Sequence, residues 1–249
     1  MEATLRQMRS AFVAVVALLA LAGCSFGSGS DGAKATAGAS ASPTGLAATV
    51  AGFGTGSYRF SVTANEGKYQ GAIDPVADLL DASVAVTSDG ASLKIDTVSV
   101  AGVPYTRLTG LPLPGFDGNT WYKIDRARMT KPGALGISAV DDPTGVRALV
   151  AAAHDVRRSG DGFSGTVDMT HVAAWGPVNI ARVLQLGDAA KAVPFEAAVD
   201  SQGRLVSMKV SIPDNTVQAT YSDFGARVSV TAPAGAEPLP DHLYGMLGL

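Results

Sequence analysis

The sequence predicts an α+β fold: one strongly curved antiparallel β-sheet, a half-barrel, with helices laid across its concave face. Three observations carry this. Short apolar–polar alternations of period two recur along the chain, two stretches switch to helical spacing, and the turns between strands are short. Short turns make sequence neighbours antiparallel. A long antiparallel sheet must have one face covered, and the two apolar helix stripes are available for that. A closed barrel with its helices outside is the alternative arrangement.

The chain opens with Arg6 and Arg9, an apolar stretch from Ala11 to Leu21, and the run Leu21-Ala22-Gly23-Cys24. A charged segment, a short apolar segment and small residues before a cut site make a secretory signal. A conventional signal ends in an Ala-x-Ala-like site and needs no cysteine. Leu-Ala-Gly-Cys matches instead the lipobox of bacterial lipoprotein precursors. There the thiol is alkylated with diacylglycerol, the chain is cut after the small residue, and the cysteine becomes the N-terminus. The apolar stretch falls short of the about 20 residues that cross a bilayer. Residues 1–23 are thus expected to be a lipoprotein signal peptide, and Cys24, the single cysteine, the lipidation site. The expected location is the cell membrane, lipid-anchored on its extracytoplasmic face, where two or more acyl chains hold stably. Residues 24–48 read as a flexible Gly/Ser/Ala tether. About 20 such residues reach roughly 25 Å.

The folded domain is expected over residues 49–233. Tyr58, Phe60 and Val62 alternate with Arg59, Ser61 and Thr63 as a first strand. Asn65-Glu66-Gly67 turns into a short strand that Asp74-Pro75 breaks. A strand around Val84 and Val86 follows, then Ser88-Asp89-Gly90 turns into Ser92 to Val100, a hairpin signal. Ala101-Gly102 leads into Val103 to Leu108, Leu111 to Gly118 is a loop, and Trp121 to Asp125 is another strand. Three further strands close the domain: Phe195 to Val199, Leu205 to Ile212 and Val217 to Tyr221.

Between the two meanders the period changes. Asp142-Pro143-Thr144 opens a helix, with Val146, Leu149, Val150 and Ala153 on one face, opposite Arg147, Asp155 and Arg158. Asp141-Asp142 suits the cap of that helix better than a catalytic dyad. Ser159 to Gly162 ends it, and Phe163 to Thr170 is a strand carrying Val167 and Met169. Trp175-Gly176-Pro177 starts a second short helix with Ile180, Val183 and Leu184 on one face. Residues 234–249 form an unusually apolar tail (Leu239, Leu243, Tyr244, Met246, Leu247, Leu249), whose favoured role is docking on the sheet, with plugging the cavity or contacting a partner as alternatives.

Composition and motifs exclude much. Charged residues are 16%, net charge is −3, and no basic block appears, so no nucleic-acid footprint exists. His154, His171 and His242 are scattered, and no metal or other cofactor is implied. Gly162-Phe163-Ser164-Gly165 lacks the spacing of a nucleophile elbow. Gly52 to Gly56 leads into a strand, whereas a phosphate cradle leads into a helix. No enzyme is expected.

What remains is apolar surface. Phe60, Val62, Val84, Val86, Val167 and Met169 on strands, and Val146, Leu149, Val150, Ala153, Ile180, Val183 and Leu184 on the helix stripes, are the candidate lining of a cavity for an acyl chain. An ordinary filled core is the competing reading of the same residues. At about 0.8 kcal/mol per methylene, a chain of about 14 methylenes contributes around 10 kcal/mol before ordering costs, with no charged group needed.

The lipobox, the tether, the run Gly118-Asn119-Thr120-Trp121-Tyr122-Lys123-Ile124-Asp125 and the run Tyr221-Ser222-Asp223-Phe224-Gly225 together resemble actinobacterial lipoproteins of the LppX/LprG type, which share the LolA-like fold. The resemblance covers roughly Thr49 to Pro233. It implies a half-barrel with helices on its concave face and an apolar cavity between, and a protein that binds lipid or acylated glycolipid and moves it through the envelope. A monomer is expected, with a membrane transporter as a possible partner. Some members lack a roomy cavity, which implies the alternative of a scaffold or sensor with a filled core. Trp121 is read as structural, its ring packing at a sheet edge.

Overall fold

The computed structural model describes residues 44–88, 90–110, 117–129, 142–172, 183 and 185–247. The signal peptide, Cys24, the tether up to residue 43, Asp141, the start of the second helix, Ile180 and Leu184 lie outside them.

Helix α1 (Thr44–Thr49) and a 3-10 turn (Ala51–Gly54) precede a meander of β1 (Tyr58–Ala64), β2 (Gly67–Asp74), β3 (Leu79–Ser88), β4 (Ala91–Val100), β5 (Val103–Thr109) and β6 (Tyr122–Lys123). After a 3-10 turn (Arg126–Arg128) come α2 (Val146–Ala151) and a second meander of β7 (Ala153–Ser159), β8 (Gly162–Val167), β9 (Val193–Val199), β10 (Leu205–Ile212) and β11 (Asn215–Ser222). A two-residue β12 (Glu237–Pro238) and α3 (Asp241–Leu247) complete the described chain. No described helix is long and apolar enough to cross a membrane.

The twelve described strands form one curved sheet in the order β12-β6-β5-β4-β3-β2-β1-β11-β10-β9-β8-β7. The two meanders meet at an antiparallel β1–β11 junction, where Phe60 lies opposite Tyr221. Among the described strands only the β12–β6 pair is parallel. The ladder is open at β12 and β7, so the half-barrel, and not the closed barrel, is the architecture. Tight turns hold the meanders together: Val100 pairs with Val103 across Ala101 and Gly102, both at positive φ, 49° and 78°.

Two aromatic–glycine pairs accompany the curvature. Phe60 lies opposite Gly71, and Phe195 opposite Gly165. A Cβ at either glycine would stand 2.9 Å from the facing ring. Each ring occupies space that a side chain on the neighbouring strand would claim, a device that permits sheet coiling.

The structure corrects three sequence readings. The helix expected to run past Ala153 stops at Ala151, and Ala153–Ser159 is the edge strand β7. Pairing with β8 outweighs the helical spacing, and Asp155 at φ 51° sits in the bulge that shifts the β7 register. The strand expected to reach Thr170 ends at Val167, and Met169–His171 is a 3-10 turn. The last residues assigned to the tether are helical, with Leu46 buried in the core beside Val50 and Phe53.

The tail docks on the sheet. β12 pairs with β6, and Leu239, Leu243 and Tyr244 pack with Leu108, Tyr122 and Ile124 in a small cluster of their own. The Tyr244 hydroxyl accepts a hydrogen bond from the Asp125 N–H at 2.8 Å.

Candidate functional site

Register places the inner face of the sheet residue by residue, because directly opposite residues share a face. One row runs Phe163–Ala197–Met208–Ala219–Val62–Tyr69–Val84–Ile95–Leu108 from β8 to β5 and is apolar throughout. The next row begins Phe60–Gly71–Ala82 and turns polar at Thr97 and Thr106 before reaching Tyr122. A third runs Tyr58–Ile73–Leu80–Ser99–Pro104. Thr97, Ser99 and Thr106 are all buried. They form a strip of hydroxyls across the inner face of β4 and β5, between the main core and the tail cluster. The Ser99 hydroxyl has no hydrogen-bond partner.

The structure brings most of the expected lining together. Phe60, Val62, Val146, Leu149, Val150, Val167, Met169 and Val183 belong to one cluster, and half-buried Val84 and Ala153 pack against it. Ala153 does so from a strand and not a helix. Val86 is half-buried, outside the cluster, facing half-buried Leu93 on β4. Packing is tight where α2 meets β1 and β8. Val62, Val146, Leu149 and Val167 have 0% exposure, so no water-sized space touches them. Looser inner-face packing lies at Val84, Val86 and Leu93. Four open hollows lined by described residues range from about 270 to about 450 Å³, and Phe60 is the one expected lining residue that borders any of them.

A polar knot sits under α2. The Asp142 carboxylate accepts the backbone N–H groups of Val146 and Arg147, each at 3.0 Å, so its capping role holds. Burial pushes its carboxyl above the usual range despite those bonds. Burial, with Asp142 nearby, also pushes the Tyr58 and Tyr69 hydroxyls far up. Neither hydroxyl has a partner. Tyr221 lies 3.4 Å from the Thr144 hydroxyl.

On the outer face Asp96 meets Lys94 and Arg107, each at 2.8 Å. Burial raises its carboxyl, but hydrogen bonds from Lys94, Arg107 and Ser83 outweigh this and hold it below the usual range. The Arg107 guanidinium lies 4.9 Å over the Trp121 ring, so Trp121 packs at the β5–β6 edge as the sequence reading expects.

The histidines make no catalytic relay. His154 Nδ1 meets both Thr166 Oγ1 (2.9 Å) and Asp155 Oδ2 (3.2 Å), while Nε2 meets the Lys191 carbonyl (2.8 Å). A hydroxyl and a carboxylate on the same nitrogen cannot be nucleophile and orienting acid of one base. Exposed His171 pairs with Asp168 at 2.9 Å. Among the described residues no group of three or more His, Cys, Asp or Glu is placed to hold a metal.

Sequence reasoning missed the hydroxyl strip, because the alternation of Val98 and Val100 with Thr97 and Ser99 suggests that the valines face inward. It also missed α1, although Leu46, Val50 and Phe53 carry the i, i+4, i+7 spacing of a helix face.

No protein-family model matches the sequence, and no curated protein matches it. Solved structures do. LprF from Mycobacterium bovis matches at TM-score 0.51 and 19% identity, over 79% of this chain and 100% of that one. The lipoprotein LppX from Mycobacterium tuberculosis matches at TM-score 0.38 and 15% identity, over 77% of this chain and 100% of that one. The fold of this chain is that of LprF, the LppX/LprG-type fold that its sequence resembles.

Proposed function

We propose that this protein is an extracytoplasmic lipoprotein, held by acylated Cys24 to the cell membrane, that receives an acylated lipid or glycolipid on the inner face of its sheet and presents it to a membrane transporter. It acts as a monomer and performs no chemistry on its ligand. The observation that carries this reading is the break in the core between its two apolar clusters, over β3, β4 and β5. There Val84, Val86 and Leu93 remain half-buried and Ser99 keeps an unused hydroxyl. Apolar side chains suit an acyl chain, and hydroxyls suit the ester or sugar oxygens at its head. This moves the favoured lipid contact away from Val62, Val146, Leu149 and Val167, which are fully buried.

That full burial favours a second reading, an interaction module with a filled core. Native mass spectrometry of residues 25–249 from an actinobacterial host separates the two. One co-purifying lipid per chain, lost on Val86→Trp, supports the carrier. A bare mass that stays bare after incubation with diacyl lipid leaves the interaction module.

A further inference from the structure

A groove with a basic rim lies at one end of the half-barrel, where Pro104 ends the third row of the inner face. It is open, about 450 Å³, and is bounded by the start of β5, the end of β6, the Arg126–Arg128 turn and the docked tail. Val103, Pro104, Ile124 and Leu239 make an apolar floor, and Lys123 and Arg126 stand on the rim. Arg128 also borders it but is engaged, bonding Asp241 at 2.7 Å and stacking 4.1 Å over the Tyr244 ring. Lys123 and Arg126 are exposed, and among the described residues no carboxylate pairs with either. Asp125 between them accepts the Ala127 N–H at 3.0 Å.

The described chain begins at this same end. Register puts the starts of β1, β3, β5, β8 and β10 there. Gly45 of α1 sits against the Phe163 ring at the start of β8, and Ala48 and Thr49 share a hollow with Gln202–Arg204 of the β9–β10 turn. The β2–β3 turn at this end presents Val76, 74% exposed, the one large hydrophobic left exposed among the described residues. Of the acids at this end, Asp74 bonds the Val76 and Ala77 N–H groups, Asp200 pairs with Arg204 and Asp223 with Arg59, while Asp78 sits against Gly102 at the groove's edge, its carboxylate 2.9 Å from where a Cβ on Gly102 would stand.

We infer that this groove seats the head group of an anionic phospholipid in the membrane that anchors the chain, with the phosphate between Lys123 and Arg126 and the glycerol esters on the apolar floor. The choice of membrane rests on the Cys24 anchor proposed above; the groove chemistry does not. Docking there turns the tethered end of the half-barrel onto the bilayer, with Val76 at the interface.

The test uses residues 25–249, which lack the acyl anchor, in co-sedimentation with phosphatidylcholine vesicles with or without phosphatidylglycerol. Binding is expected only with phosphatidylglycerol and weakens with salt. Each charge removed weakens it about fivefold, so Lys123→Ala with Arg126→Ala costs about 25-fold. Lys68→Ala, at the opposite end, leaves binding unchanged. Equal binding to both vesicles, binding to neither, or an unaffected double variant overturns the proposal. Displacement by millimolar inorganic phosphate overturns it in favour of a free anion. Lipid carried by the double variant, read by native mass spectrometry, tests the carrier reading separately. Vesicle binding by a chain without lipid retires the carrier and leaves the groove standing.

Discussion

Leu149→Ala distinguishes a packed core from a ligand-lined space at the place where the sequence reading put the cavity wall. Leu149 is on α2 with 0% exposure. The substitution removes three carbons, worth about 0.8 kcal/mol each, or about 2.4 kcal/mol in transfer terms. A residual void of about 60 Å³ adds about 1.4 kcal/mol at roughly 24 cal/mol per Å³. The sum, about 4 kcal/mol, corresponds to a Tm lower by about 8–16 °C for a chain of this size. Urea and thermal unfolding of residues 25–249, followed by circular dichroism, measure it, with an unchanged m-value as the control on the unfolded state. A loss below about 1.5 kcal/mol would refute the reasoning, because a side chain bordering ligand space forfeits little packing when shortened. Val86→Ala, on a half-buried residue, is the matched comparison and should cost about 1 kcal/mol or less.

Cys24→Ala is expected to abolish incorporation of a fatty-acid probe; labelling that persists would remove the anchor assignment. Asp96→Asn should cost about 2 kcal/mol at neutral pH by weakening charged hydrogen bonds to Arg107 and Lys94. Because the folded-state carboxyl lies below its unfolded value, its contribution is present above the ordinary carboxylate pKa and lost as pH falls through the folded one. The wild-type advantage over Asp96→Asn should therefore shrink on acid titration below about pH 4, and an advantage constant down to pH 2 would contradict the ion-pair account. Tyr58→Phe deletes a buried hydroxyl without a partner, so its stability should equal or exceed wild type by up to about 1 kcal/mol in urea melts. A substantial loss there would mean that the hydroxyl has a bonded partner.

The strands were legible because each side chain either faces the helices or does not. Tyr58, Phe60 and Val62 follow the period-two rule, and β10 has the bounds that the alternation suggests. The helix through Ala153 was not legible. Val146, Leu149, Val150 and Ala153 satisfy helical spacing, and only β8, offering an edge to pair with, turns residues 153–159 into a strand. Local pattern carries no information about which distant edge is free. The candidate site was half legible for the same reason. Apolar identity foretold that Val62, Leu149 and Val167 share a cluster, but not that they fill it. Nothing local to Lys123 and Arg126 marks them, because the groove beside them exists only once the tail, more than a hundred residues later, supplies Leu239 and Tyr244.

The β1–β11 junction has a temporal consequence. Its partners are far apart in sequence, Thr63 and Gln218 being separated by 155 residues. In the export proposed above the chain emerges N-terminus first, so β1 through β6 cross with the β1 edge bare and wait for the rest of the domain. Closing so long a loop comes late and slowly in folding. In the interval Tyr58, Phe60 and Val62 lack the β10–β11 half of their shelter, and the waiting meander offers a template for intermolecular pairing. The proposed export therefore calls for a holding factor outside the membrane, or for translocation fast enough to outrun self-association.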